Sequence, residues 1–184
     1  SCIGRNGSIS GREFCGQLAD LRIWTRARSQ AEIAGGADTT PRGDEPGLCH
    51  HYPMDEASLA TVADRVDHAG RLGSTQIWTG LPHRSTLRFE GMGTYVQMPA
   101  VAADLSRGFA IEAWVYFEDN SSWARIVDIG NGAASDNVLL ARDGTSDDLA
   151  LHIYRGGTYQ GVSAAGVLKA RRFLHIAASL TDIA

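Results

Sequence analysis

The sequence predicts an all-β fold, an antiparallel β-sandwich. Short apolar segments, separated by Gly, Pro, Asp and Asn turns, recur at regular intervals through the second half of the chain. No long segment has the periodicity of an amphipathic helix. Within Phe109–Phe117, Ile111 and Val115 fall on one face, and Glu112 and Trp114 fall on the other. Large side chains on both faces are typical of a central strand that is covered on both sides.

Two strands are predicted near the beginning of the chain. Leu21 and Ile23 alternate with Asp20 and Arg22, which is the pattern of a half-buried strand. A second strand runs through residues 47–53, where a proline ends it because proline cannot donate a ladder hydrogen bond.

A single helical turn and a linker are predicted between these strands. Ser29, followed three residues later by Glu32, forms a capping-box pattern, and Gly35-Gly36 ends the turn. Residues 37–45 are polar and contain both Pro and Gly, so they are predicted to be a linker.

Residues 57–86 are predicted to be loop-like with scattered apolar anchors, and eight strands follow. The anchors are Val62, Leu72, Ile77 and Trp78. The predicted strands are Leu87–Phe89, Thr94–Met98, Phe109–Phe117, Ala124–Ile129, Asn137–Ala141, Leu149–Tyr154, Tyr159–Ala164 and Phe173–Leu180.

Composition excludes some classes of partner. The formal net charge of −4 argues against a nucleic-acid-binding protein. No apolar segment is long enough to cross a membrane as a helix. Cys2, Cys15 and Cys49 cannot all pair within one chain. A Cys2–Cys15 disulfide across a hairpin and three free thiols are both compatible with the sequence.

Several motifs resemble those of a known family. Phe14–Trp24, Phe109–Val115 and Trp123–Gly132 have the pattern of aromatics and glycines seen in laminin-G-like jelly-roll domains. Asp136-Asn137 and the entry strand within Pro46–Glu56 fit the same family. The resemblance, which lies within the concanavalin A-like lectin/glucanase superfamily, implies one nearly complete antiparallel β-sandwich jelly roll.

The order of these motifs is reversed relative to the family. Residues 1–36 resemble the C-terminal strands of such a domain, residues 37–45 would be a linker, and residues 46–184 resemble its N-terminal and central part. The chain is therefore a fragment of a tandem array, a circularly permuted domain, or a domain that exchanges its closing strands with another copy.

The resemblance also implies a structural calcium ion. Its ligands would be the Asp20 carboxylate and the backbone carbonyl near Gly91, since Ca²⁺ prefers oxygen ligands. The alternative is that Asp20 is solvated or paired with an arginine.

A glycan-binding site is predicted around the loop that follows residue 128. Carboxylate and amide groups on this loop would form paired hydrogen bonds with a sugar, and the nearby Trp123 and Tyr154 rings would stack on it. The alternative is that the loop residues only make turns and that Trp123 belongs to the core. The candidate ligand-binding residues are Asp128, Asn131, Asp136 and Asn137.

Other polar clusters are interpreted as structural. Residues 143–148 contain three Asp but lack the EF-hand pattern, which favours a hairpin loop. His50 and His51 point to opposite faces of a strand, and His152 and His175 are predicted to be satisfied core or edge histidines.

No catalytic motif is present, and the sequence lacks the Glu-x-Asp-x-x-Glu pattern of glycanases with this fold. We expect a non-catalytic extracellular or cell-surface binding or adhesion module of a longer protein, which recognises a glycan or a protein surface. An assembly module, in which residues 1–34 complete the sheet of another copy, is the first alternative, and a glycoside hydrolase is the second.

Overall fold

The computed structural model describes residues 1–55, 61–66, 70–72, 77–81, 84–130 and 135–181. These form fourteen strands and one helix: β1 (Cys2–Ile3), β2 (Cys15–Trp24), α1 (Gln30–Gly36), β3 (Leu48–Tyr52), β4 (Thr61–Val62), β5 (Gly70–Leu72), β6 (Ile77–Leu81), β7 (Arg84–Glu90), β8 (Val96–Gln97), β9 (Phe109–Phe117), β10 (Arg125–Gly130), β11 (Asn137–Arg142), β12 (Leu149–Arg155), β13 (Thr158–Ala164) and β14 (Leu174–Leu180).

The strands form two antiparallel sheets, which confirms the predicted all-β sandwich jelly roll. The first sheet has eight strands in the order β13-β12-β11-β10-β1-β8-β5-β4. The second has six strands, with β14-β9-β2-β7-β6 in line and β3 paired to β2. Apolar side chains from both sheets pack between them, including Leu18, Phe89, Phe109, Leu140 and Leu151.

The N-terminal strands occupy central positions in both sheets. Strand β1 lies between β10 and β8, and β2 lies between β9 and β7. Residues 1–24 thus close the sheets of their own chain in this structure. Exchange of these strands between copies, and the division into 1–36, 37–45 and 46–184, stay predictions.

Strand β2 changes its neighbour part-way along one edge. Cys15–Leu18 pairs with β7, whereas Leu21–Trp24 pairs with β3. Asp20 lies at the change, where its φ of 54° interrupts the regular ladder. Aspartate tolerates this left-handed conformation better than most residues do.

The aromatic core depends on close backbone packing at Gly4. Phe14 packs edge-to-face against Phe89 and Phe117, with ring centroids 5.6 and 4.8 Å apart. Gly4 has a φ of +86°, and a Cβ there would lie 2.4 Å from a ring carbon of Phe89. Only glycine fits this position without moving the ring.

Helix α1 and the segment after it cover part of the six-stranded sheet. The predicted capping box is present. The Ser29 side chain accepts a hydrogen bond from the Glu32 backbone N–H, and the Glu32 side chain accepts one from the Ser29 backbone N–H. Arg22 donates to the Gly36 carbonyl at 2.9 Å, and Trp114 Nε1 donates to the Ala37 carbonyl at 3.0 Å. No helix in the described ranges is long and apolar enough to span a membrane.

The loop-like prediction for residues 57–86 is wrong in the first three residues of β7 and where β4, β5 and β6 lie. Strands β4 to β6 are two to five residues long, and β5 and β6 each contain a glycine. Such segments show too few periods of alternation to be identified from sequence. Strand β8 also has only two of the five residues predicted for 94–98.

Candidate ligand-binding face

Four adjacent strands of the eight-stranded sheet place polar and aromatic side chains on the face directed away from the core. Val138 and Ile153 pack against the core, so their neighbours Asn137, His152 and Tyr154 point to the opposite face. We call the following residues the outer-face cluster: Trp123, Arg125, Asp128, Asn137, His152, Tyr154 and Tyr159.

Asp128 is the centre of the polar half of the cluster. Its two carboxylate oxygens accept hydrogen bonds from Asn6 Nδ2 and Asn137 Nδ2, each at 3.0 Å. Arg125 Nε lies 3.5 Å from the same carboxylate. All four side chains are buried, and burial lowers the pKa of Arg125 although Asp128 opposes this. Arg125 and Asp128 therefore form an ion pair of balanced charge, and the two amides hold the Asp128 carboxylate in place.

Asn137 presents a buried acceptor that nothing in the described part of the chain satisfies. Its side chain is 2% exposed, and Oδ1 has no hydrogen-bond partner there. An unpaired buried acceptor is costly, so such groups in native proteins call for an explanation. A ligand hydroxyl is one group that would supply the missing donor.

The aromatic half of the cluster surrounds His152. The ring centroids of Trp123, Tyr154 and Tyr159 lie 5.2, 6.5 and 4.6 Å from that of His152. Tyr159 is 51% exposed, and Trp123 and Tyr154 are half-buried. The Arg125 guanidinium lies 5.7 Å from the Trp123 ring centroid, within cation–π range. Partly exposed aromatic faces therefore adjoin the fixed polar groups.

Burial lowers the pKa of His152, and the Arg125 charge acts in the same direction, while Asp143 opposes them. The imidazole is thus neutral at pH 7. The Tyr159 hydroxyl lies 3.1 Å from His152 Nε2, within hydrogen-bond distance. The sequence alone pointed to a core or edge histidine here. His152 is buried, but it lies beneath partly exposed rings on the outer face.

The predicted ligand-binding residues divide into two groups. Asp128 and Asn137 lie together, and Trp123 and Tyr154 lie beside them, as expected. Asp136 adopts a φ of 44° and accepts a hydrogen bond from the Gly156 backbone at 2.7 Å, so it shapes a turn. Asn131 lies outside the described residues.

A cleft of about 290 Å³ adjoins the outer-face cluster at the end of the sheet. Its polar lining comes from Ser106, Asp136, Asn137 and Arg155, and it is bordered by Tyr154. Ile129, Val138 and Ile153, whose side chains pack in or against the core, also line it, so the cleft opens on the core side of the sheet and shares only Asn137 and Tyr154 with the cluster.

Comparison with known proteins agrees with this architecture. A laminin-G-type family model, described as the concanavalin A-like lectin/glucanases superfamily, matches residues 90–182, half of the chain. The chain belongs to this superfamily. Comparison with curated proteins and with solved structures gives no match. The matched residues span β8 to β14 with their connections, and they include every member of the outer-face cluster.

Superfamily membership makes the predicted calcium site worth locating. Both Asp20 oxygens are engaged, because Arg22 donates to Oδ1 and Oδ2 and His51 Nε2 lies 2.9 Å from Oδ1. Burial raises the pKa of Asp20, but the hydrogen bonds from His51 and Arg22 outweigh it and lower the value to about 2. The other predicted ligand, Gly91, directly follows Glu90, which lies opposite Cys15 in the ladder between β2 and β7.

Asp20 and Gly91 are consequently not brought together. Asp20 lies five positions after Cys15 on strand β2, which corresponds to roughly 16 Å at about 3.3 Å per residue. No group of three or more His, Cys, Asp or Glu side chains in the described ranges is arranged to hold a metal. A calcium ion at Asp20 would have to displace Arg22, and the site stays a prediction.

The neighbouring histidines have separate partners. His50 Nδ1 lies 2.6 Å from Asp64, and His51 lies against Asp20 on the other face of β3. Burial lowers the pKa of His50, but hydrogen bonds with Asp64 and Cys49 outweigh it and raise the value to about 9. These contacts tie β3 to its surroundings.

The remaining polar clusters are structural as well. In the turn between β11 and β12, Asp143 N donates to the Asp148 carbonyl at 2.9 Å, as a hairpin loop requires.

Cys2 and Cys15 begin strands of different sheets, and all three thiols are free. Burial, helped by Asp119, raises the pKa of Cys15 to about 11.

Glu112 is buried away from the outer-face cluster. It is fully buried on β9, where its carboxylate pairs with Arg28, and His175 Nε2 lies 3.7 Å away. It belongs to the six-stranded sheet, whereas the outer-face cluster belongs to the eight-stranded one. A hydrolase acting at the cluster would therefore need other carboxylates.

Proposed function

We propose that this chain is a non-catalytic, extracellular binding module that recognises a neutral glycan on the outer-face cluster. The single observation that supports this most strongly is the juxtaposition of partly exposed aromatic rings with a buried, unpaired Asn137 acceptor. Sugars present C–H faces that pack on aromatic rings and hydroxyls that need directional partners. The extracellular location rests on the resemblance to laminin-G-like modules.

A neutral ligand fits the electrostatics of the face. The charge of Arg125 is balanced by Asp128 at 3.5 Å, so the cluster offers no unpaired cation for a sulfate or a uronate. The whole chain also has a formal charge of −4, which repels a polyanion at low ionic strength. Hydroxyl groups, which both donate and accept, match the fixed amide and carboxylate groups better.

The binding surface in this proposal is preorganised. Asn6 Oδ1 accepts hydrogen bonds from the backbone N–H groups of Ser8 and Ile9, each at 2.9 Å. Its Nδ2 group donates to Asp128. The N-terminal loop is thus fastened to the polar half of the cluster before any ligand arrives, which reduces the ordering cost of binding.

Isothermal titration calorimetry with cellohexaose, laminarihexaose and a heparin hexasaccharide tests the proposal. We expect at least one neutral hexasaccharide to bind and the heparin fragment to bind more weakly. Tyr154→Ala should weaken binding by about tenfold, the equivalent of one aromatic contact.

Tyr116→Ala is the matched control, because Tyr116 is a half-buried tyrosine on the six-stranded sheet that packs against Phe173. It should leave the affinity unchanged. Binding of the heparin fragment alone, or of none of the three, would contradict the proposal.

A further inference from the structure

Tyr159 is the most exposed ring of the outer-face cluster, and it lies on an exposed strand that has a neighbour on one side only. All seven residues of β13 are exposed, and β13 is the edge strand of its sheet. Even so, the ring packs onto His152 with a centroid separation of 4.6 Å, and the hydroxyl lies 3.1 Å from Nε2. An exposed tyrosine on an edge strand would otherwise sample several rotamers.

The space that this ring occupies exists because residue 161 is glycine. Gly161 pairs with His152 in the ladder. A Cβ at position 161 would lie 2.7 Å from the Tyr159 hydroxyl oxygen, 2.9 Å from its Cε2 atom and 2.8 Å from His152 Cδ2. Its φ is not in the left-handed region, so the backbone does not require glycine. Glycine in a strand interior is unfavourable and marks a place of close approach.

Tyr159 and Tyr154 together form an angled pair. Their ring centroids lie 5.4 Å apart and the ring planes are inclined at 38°. Tyr154 lies opposite Tyr159 in the ladder between β12 and β13. A pyranose packed on one ring would contact the edge of the other, which restricts how the sugar can be oriented.

We infer that Tyr159 is a specificity-determining contact of the glycan site and that Gly161 is its positioning residue. The inference rests on the proposed function. Gly161 leaves room for Tyr159 to lie over His152, and the hydroxyl contact with Nε2 fixes the ring there. The ligand class is a pyranose with an all-C–H face, such as the β-linked glucose units of cellohexaose, which packs in the angle between Tyr154 and Tyr159.

The positioning role can be measured without a ligand. Fluorotyrosine incorporation gives five ¹⁹F resonances, one for each tyrosine, and Tyr159→Phe identifies the resonance of Tyr159. Gly161→Ala should shift that resonance, with a smaller change at Tyr154, whose ring centroid lies 5.4 Å away, and leave the lines of Tyr52, Tyr95 and Tyr116 close to their wild-type positions. Ser163→Ala is the matched control, since residue 163 is exposed on the same face of β13, two residues further along. It should shift nothing.

The contact role is tested by a double-mutant cycle with cellohexaose and laminarihexaose. Tyr159→Ala and Gly161→Ala should each weaken the better-binding probe by about fivefold to tenfold. In the Tyr159→Ala background, Gly161→Ala should have no further effect, because Gly161 acts only through that ring. Unfolding midpoints in urea should stay close to the wild-type value for all three variants.

The outcomes separate this inference from the proposed function. If the wild type binds a neutral hexasaccharide but Gly161→Ala and Tyr159→Ala bind it equally well, the proposed function stands and the inference is overturned. An unmoved Tyr159 resonance in Gly161→Ala overturns the positioning role. If the wild type binds neither neutral probe, the proposed function and the contact role of Tyr159 fall together.

Discussion

Removing both residues of the buried pair of Arg125 and Asp128 should destabilise the fold by less than the sum of the two single changes. Asp128→Leu leaves Arg125 as an uncompensated buried charge, which typically costs about 3–5 kcal/mol. It also removes the acceptor of the Asn6 and Asn137 amides, each worth about 1–3 kcal/mol when left unpaired in the interior. We therefore expect a loss of about 5 kcal/mol or more.

The reverse change leaves a better-satisfied partner. After Arg125→Met, the Asp128 carboxylate keeps both amide hydrogen bonds, so we expect a loss of about 3 kcal/mol, the lower end of the range for breaking a buried pair. The double variant has no buried charge left in this pair. Its loss should be about 5 kcal/mol, compared with about 8 kcal/mol for the sum of the single losses.

Urea unfolding at pH 7, followed by tryptophan fluorescence, gives all three values from the midpoint and the slope. The slope should be the same in all variants, which shows that the unfolded states are comparable. Losses that add to within about 0.5 kcal/mol in the double variant would show that the two residues are energetically independent. That result would refute the description of Arg125 and Asp128 as one matched pair.

Three further predictions concern other parts of the fold. Because the pKa of His50 is raised from 6.5 to about 9, the stability from its contact with Asp64 is complete below pH 6.5. It should be lost as the pH rises to about 9, by about 3 kcal/mol; urea unfolding of His50→Gln across this range should show a flatter pH profile than the wild type. Gly4→Ala should lower the thermal midpoint by several degrees or more, since its Cβ meets an aromatic ring at 2.4 Å. Gly7→Ala, which meets nothing within 4 Å, should change the midpoint little, and equal midpoints for the two would contradict the packing at Gly4. Phe109→Ala, at a fully buried position, should cost about 3–5 kcal/mol in chemical denaturation, and a loss under about 1 kcal/mol would show that the ring is not in the core.

The sandwich could be predicted from sequence because its long strands have strong local signals. The alternation in Phe109–Phe117 and the glycine turns between β10 and β13 determine face and register within a few residues. The short strands between residues 61 and 81 could not be predicted in the same way, because two to five residues contain too little alternation. Their pairing depends on partners far away in the chain.

The polar half of the candidate site was partly predictable. Asp128 and Asn137 were identified because both lie beside a glycine loop, and their contact follows from the hairpin between β10 and β11. Asn6 could not be identified, since it is 122 positions away from Asp128 in the chain and no local signal links the two. His152 and Tyr159 were missed because the face of an apolar strand on which a histidine lies depends on register, which only the paired strands reveal.

The central claim is that a neutral glycan binds the outer face of the eight-stranded sheet. Backbone amide chemical-shift mapping during titration with cellohexaose or laminarihexaose tests it most directly. Perturbations should be concentrated at Trp123, Asn137, Tyr154 and Tyr159, with those of Gly161 close behind. Perturbations confined to the six-stranded sheet or to helix α1, or none at saturating ligand, would contradict it.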